Sequence, residues 1–168
     1  MKEKDLFQSV NFESPFQNDN RKNTNNNDEL TIIGSSTVIE GKENSKIICG
    51  GNIEIMGHVK GLVDVAGSAD IYGTVDGLVN AEQLTAEKGS KIKGDINCRA
   101  NLSITGSEVT GNIRAKNAFV NANIKGDIEA TNDLKIAANS VIEGNITTGS
   151  ISIESGAVIV GNLAVVKK

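Results

Sequence analysis

At 168 residues and a net charge of −4, with one Tyr, four Phe and no Trp, the chain cannot fill a globular core with aromatics, so any core must be built from small and β-branched aliphatics. The charge divides evenly, four basic against six acidic residues in 1–30 and 13 against 15 thereafter, and neither part offers the basic surface that nucleic-acid phosphates require. Two cysteines, Cys49 and Cys98, make no disulfide framework, and neither a secretory signal nor an apolar run of about 18 residues appears, which points to a reduced, cytoplasmic chain.

Residues 1–30 read as a disordered tail. Residues 1–29 hold seven Asn, the one proline (Pro15) and three of the four phenylalanines, and "NDNRKNTNNNDE" has no periodicity that could bury anything. Within the tail, "DLFQSVNFESPF" gathers Leu6, Phe7, Val10, Phe12 and Phe16 in eleven residues. Apolar groups at that density in an otherwise polar segment read as a short adhesive motif.

From Thr31 proline vanishes and a repeat begins, predicting a folded unit over 31–166 and a two-residue end at 167–168. Glycines fall at Gly41, Gly61, Gly77, Gly94, Gly111, Gly126, Gly144 and Gly161, a period of about 17 residues. Two places before each stands a β-branched aliphatic: Ile39, Val59, Val75, Ile92, Val109, Ile124, Ile142 and Ile159. Two places after come Val63, Val79, Ile96, Ile113, Ile128, Ile146 and Leu163, with Glu43 as the one misfit. Four places after comes a column of mostly small residues, from Ser45 through Ala81, Cys98, Ala115 and Ala130 to Val165. A further alternating pair follows in the later repeats, such as Leu102 and Ile104 or Leu134 and Ile136.

Period-two alternation makes each phrase a short strand with one buried face, and each repeat holds more than one. Strands this brief, joined by Asn, Gly and Ser, leave no room for a crossover helix. The arrangement that remains is an all-β solenoid of about eight coils, each circuit lying in register on the one before and spaced about 4.8 Å from it. The glycine is expected to face the narrow interior, where a Cβ would strike the opposite wall or the same position one circuit away. Each buried aliphatic contributes roughly 1.5–3 kcal/mol, so a few such columns offset the ordering entropy without any aromatic.

The polar tail followed by about eight "V/I-x-G-x-I/V-x-A" turns over 31–166 resembles a bactofilin, the bacterial cytoskeletal family. The resemblance implies a single-stranded right-handed β-helix of triangular section. It also implies end-to-end polymerisation, without nucleotide, into non-polar filaments that organise cell shape, envelope synthesis or polarity. It makes the tail motif a candidate for the inner membrane surface, although Glu3, Asp5 and Glu13 beside Lys2 and Lys4 suit anionic lipid poorly, and a protein partner or the body of the rod itself is the alternative target. The longer first repeat, "KENSKIICGG", and the Asn-rich tail depart from the pattern.

The ends support the same expectation physically. An uncapped solenoid leaves backbone groups and an apolar cross-section unpaired at each end. The candidate interface is Ile32, Ile33, Val38 and Ile39 at the N-terminal end, and Val158, Val160, Leu163, Val165 and Val166 at the C-terminal end. Leu62 and Leu78, one coil apart, are a candidate lateral contact, and Phe119 points outward by parity with a neighbouring side chain expected to cover it. Lys60, Asp76 and Lys93 alternate in sign on adjacent coils. An outward ladder of Asp95, Asn112, Asp127, Asn145 and Asn162 separates its carboxylates with neutral Asn and reads as solvated structure rather than a metal site. The rival class is a left-handed hexapeptide-repeat acyltransferase-like trimer. It would need a strict six-residue beat, broken here, and a histidine base, whereas His58 has no carboxylate fixed beside it by the pattern. No catalytic residue, metal, cofactor or small-molecule substrate is expected, and the expected partner is the chain itself.

Overall fold

The computed structural model describes residues 9–11, 30–42 and 45–167. Alternating residues force the backbone into strands, and the missing connections force those strands to stack: every pairing is parallel, and among the described residues there is no helix. Three faces result. The first carries β4 (Lys46–Cys49), β7 (Leu62–Val65), β10 (Val79–Ala81) and β13 (Ile96–Cys98). It continues through the opening residues of β15 (Ile113–Lys125), β16 (Ile128–Ile136) and β18 (Ile146–Ile153), and ends on β20 (Leu163–Val165). The second runs from β2 (Leu30–Ile33) through β5 (Asn52–Ile55), β8 (Ser68–Ile71), β11 (Gln83–Ala86) and β14 (Asn101–Thr110) into the later parts of β15, β16 and β18. The third holds β3 (Val38–Glu40), β6 (His58–Lys60), β9 (Thr74–Asp76), β12 (Lys91–Lys93), the ends of β14 and β15, β17 (Val141–Glu143) and β19 (Val158–Val160).

The stack makes about seven turns, where the glycine count led to an expectation of about eight coils; eight repeat marks enclose only seven steps. The columns follow the sequence pattern. Val79 registers with Val63 and Ile96, Ile113 with Ile96 and Ile128, and Leu102 with Leu84 and Ala118. Their side chains form one continuous aliphatic core from Ile33 to Ile146, with Ile151 and Ile159 packed against its end.

Two expectations about the columns are corrected. Glu43 and Ser45 are not the first members after Gly41: β4 registers on β7 with Ile47 opposite Val63 and Cys49 opposite Val65. Glu43 itself lies outside the described residues; Ser45 Oγ donates to Lys42 O at 2.7 Å, and the inward positions fall to Ile47 and Cys49. The glycines, in turn, line a half-exposed corner between the third and first faces instead of facing the interior. From Gly41 to Gly144 each N–H donates to the carbonyl preceding the next glycine, as from Gly61 to Asp76 and Gly111 to Lys125. From Gly61 onward the φ angles are positive, between 136° and 156°, whereas Gly41 is outside that set. A Cβ on Gly77, Gly94, Gly111, Gly126, Gly144 or Gly161 would land on the carbonyl oxygen of the preceding glycine in the file. The collision one circuit away, the second of the two anticipated causes, is therefore the operative one.

The corner entering the third face shows a different compromise. Ser90 and Ser107 are buried there with hydroxyls that have no hydrogen-bond partner, while Ser140 Oγ donates to Val120 O at 2.9 Å. An unpaired buried hydroxyl costs free energy that an isosteric methyl does not. Ala122, buried in the same circuit position, shows that a methyl fits. Ser90→Ala and Ser107→Ala should each raise unfolding stability by about 1 kcal/mol, and Ser140→Ala should lower it by about as much. Urea melts decide this, and losses from all three would show that the hydroxyls do find partners.

Candidate functional site

Among the described residues no group of three or more His, Cys, Asp or Glu is placed to hold a metal ion, and no helix is long and apolar enough to cross a membrane. His58, expected without a carboxylate neighbour, has Asp76 Oδ2 3.7 Å from its Nε2, a pairing that arises because Asp76 comes round next to Lys60 one circuit later. Arg99 and Arg114 meet at a shallow groove on the first face, where Arg114 pairs with Glu129 at 3.3 Å.

The remaining sides are regular. Lys60, Asp76 and Lys93 stack in register, and the ion pairs between circuits include Lys46 with Asp64 at 3.1 Å and Lys91 with Glu108 at 3.6 Å. Exposed pairs of this kind contribute about 0–1 kcal/mol each and mainly hold register. The Asn/Asp ladder has a structural use that the sequence did not reveal. Asp95 Oδ1 accepts from Asn112 N at 2.8 Å, Asn112 Oδ1 from Asp127 N at 3.1 Å, Asp127 Oδ1 from Asn145 N at 2.8 Å, and Asn145 Oδ1 from Asn162 N at 3.2 Å. Each side chain thereby ties its own corner to the next. Phe119 is half-buried, with Lys135 Nζ 5.9 Å from its ring centroid. Leu62 and Leu78 are both partly exposed on adjacent circuits.

Cys98 sits in the small-residue column with Cys49, each buried. Its Sγ donates to Asn101 O at 3.0 Å, and burial raises its pKa above the ordinary thiol value, with backbone hydrogen bonds partly opposing the rise. A thiol whose folded pKa is raised stabilises the fold fully below its unfolded pKa, and that stability is lost as pH rises through the folded value. Stability should accordingly fall above about pH 9, and Cys98→Ala should flatten that alkaline slope. Denaturation series from pH 7 to 10.5 check it; equal slopes for both chains would refute the assignment.

The two ends of the stack differ. At the C-terminal end, Leu163 and Val165 continue the inward columns above Ile146 and Thr148 but remain 45% and 47% exposed, because no circuit covers them. Ile153, paired on Ile136, is likewise exposed, and so is Val166. Val158 and Val160 flank the inward Ile159 and look out from the side of β19 rather than along the axis. At the other end Ile33 is 2% exposed and Ile39 is partly buried, whereas Ile32 and Val38 stand exposed on the outer faces. Of the tail motif, Leu6, Phe7, Phe12 and Phe16 lie outside the described residues. Val10 is in β1 (Ser9–Asn11), which pairs in parallel with β4 although the tail was expected to hold no strand.

Part of the chain has a counterpart among known families. The model of the bactofilin family, described as polymer-forming cytoskeletal, matches residues 88–164. Those residues are a bactofilin domain. The family is a structural one, not a family of enzymes. No curated protein and no solved structure matches the chain. The matched segment covers circuits from the corner before β12 to β20, so the bactofilin domain includes the exposed Leu163 end, while β2 to β11 extend the same columns beyond it.

Proposed function

We propose that the chain is a cytoskeletal scaffold whose right-handed solenoids join end to end into nucleotide-independent, non-polar filaments in the cytoplasm. One observation carries the reading: the parallel ladder and its inward columns run the length of the stack and stop, still apolar, at Leu163 and Val165. An edge of unpaired N–H and C=O groups over an apolar cross-section invites another strand to continue the ladder. The match to a polymer-forming family supports this. The mechanism is geometric. A filament presents many copies of the same faces and tails, raising the local concentration of weak partners at the cell envelope, with the tail as the element that meets the inner membrane surface or an envelope protein. Leu62 and Leu78 are the lateral contact in this reading.

Electron microscopy of the purified chain without nucleotide is the test. Filaments of solenoid width are expected; dispersed monomers or closed trimers at high concentration would overturn the reading.

A further inference from the structure

We infer that β1 is a removable cap on the N-terminal end of the stack, so that the chain restrains its own polymerisation. The inference rests on the end-to-end reading above. β4 is the first strand of its face within the folded unit, with β7 on one edge. On its other edge lies β1, with Ser9 opposite Lys46, Val10 opposite Ile47 and Asn11 opposite Ile48. That edge is the one a second copy would occupy if stacked there, and Val10 takes the register position of the column Ile47, Val63 and Val79. A strand edge pairs its row of N–H and C=O groups with one neighbour at a time, so β1 and an incoming subunit exclude each other.

The burial contrast between the ends points the same way. Ile47, the inward residue in register with Val10, is buried, while Leu163, Val165 and Ile153 at the other end are open. β1 has three residues, two of them polar, which is a weak basis for permanent pairing. The C-terminal ends then meet freely, whereas growth through the N-terminal end waits for β1 to leave. Anything that binds the tail, a membrane or a protein, would release this brake.

Two variants of the full chain test the cap. In Val10→Pro with Asn11→Pro, at least one lost N–H belongs to the ladder, since consecutive residues of a strand donate to opposite sides. In Asn11→Cys with Ile48→Cys, register partners about 4.8 Å apart lie within disulfide range, so oxidation locks the strand down. The proline variant should polymerise at about tenfold lower concentration than the parent, the shift for a cap closed nine-tenths of the time. The oxidised cysteine variant should stop at short assemblies and recover on reduction. Polymer from every form at one concentration, or no disulfide between the partners, overturns the cap and leaves the scaffold reading standing. Absence of polymer from every form overturns the scaffold reading, and the cap with it.

Discussion

Gly111→Ala is expected to destabilise the solenoid by about 3 kcal/mol or more, a large share of the stability of an ordinary domain. Two independent penalties combine at this site. The φ of 144° belongs to a region that is essentially closed to residues with a side chain. The added methyl would also meet the backbone carbonyl of Gly94, which cannot swing aside as a flexible side chain could. Relieving the contact means lifting one circuit off another, which breaks the Gly94–Thr110 hydrogen bond at 2.8 Å. Gly50, which would meet nothing within 4 Å, is the control, and Gly50→Ala should cost less than about 1 kcal/mol. Chemical denaturation of the pair measures the difference. Equal midpoints would mean that the glycine file is incidental.

Val165→Asp is expected to abolish polymer while leaving the solenoid folded. Half-exposed in the single chain, this position tolerates a carboxylate because water still reaches it. Once another subunit covers it, the same carboxylate would be desolvated without a partner, a penalty of several kcal/mol that raises the assembly concentration by more than about 100-fold. Val141→Asp, exposed on the outer side of β17, should polymerise like the parent. Sedimentation reports the polymer and far-ultraviolet circular dichroism the fold. Val165→Asp filaments of normal length would move the interface away from this end.

The stacked architecture was legible in the sequence because a solenoid writes its geometry as a period. Alternation around Ile92, Ile96 and Cys98 specifies the strands, and its return every circuit specifies the neighbours. Legibility failed where the period was interrupted or where backbone geometry decided. The longer stretch after Gly41 concealed that Ile47, and not Glu43, continues the column, since counting from the glycine presumes a loop of constant length. The glycines were assigned to the interior because small residues beside aliphatics suggest crowding there, whereas their corner position depends on φ. His58 and Asp76 are 18 places apart, on neighbouring circuits and offset by two positions, so no local motif joins them. β1 left the faintest mark of all, a single valine between Ser9 and Asn11, because its pairing is mainly backbone to backbone.

The Asp95-to-Asn162 chain of side-chain clasps means that neighbouring turns recognise one another through repeated local contacts rather than through a shared centre. Such a molecule behaves like a ruler whose graduations can be duplicated. Inserting one further copy of residues 112–126 would lengthen the body by a single graduation and leave both tips unchanged. Subunit length, and with it the repeat distance along any fibre it builds, is therefore open to adjustment by simple gene duplication without redesign of the joints.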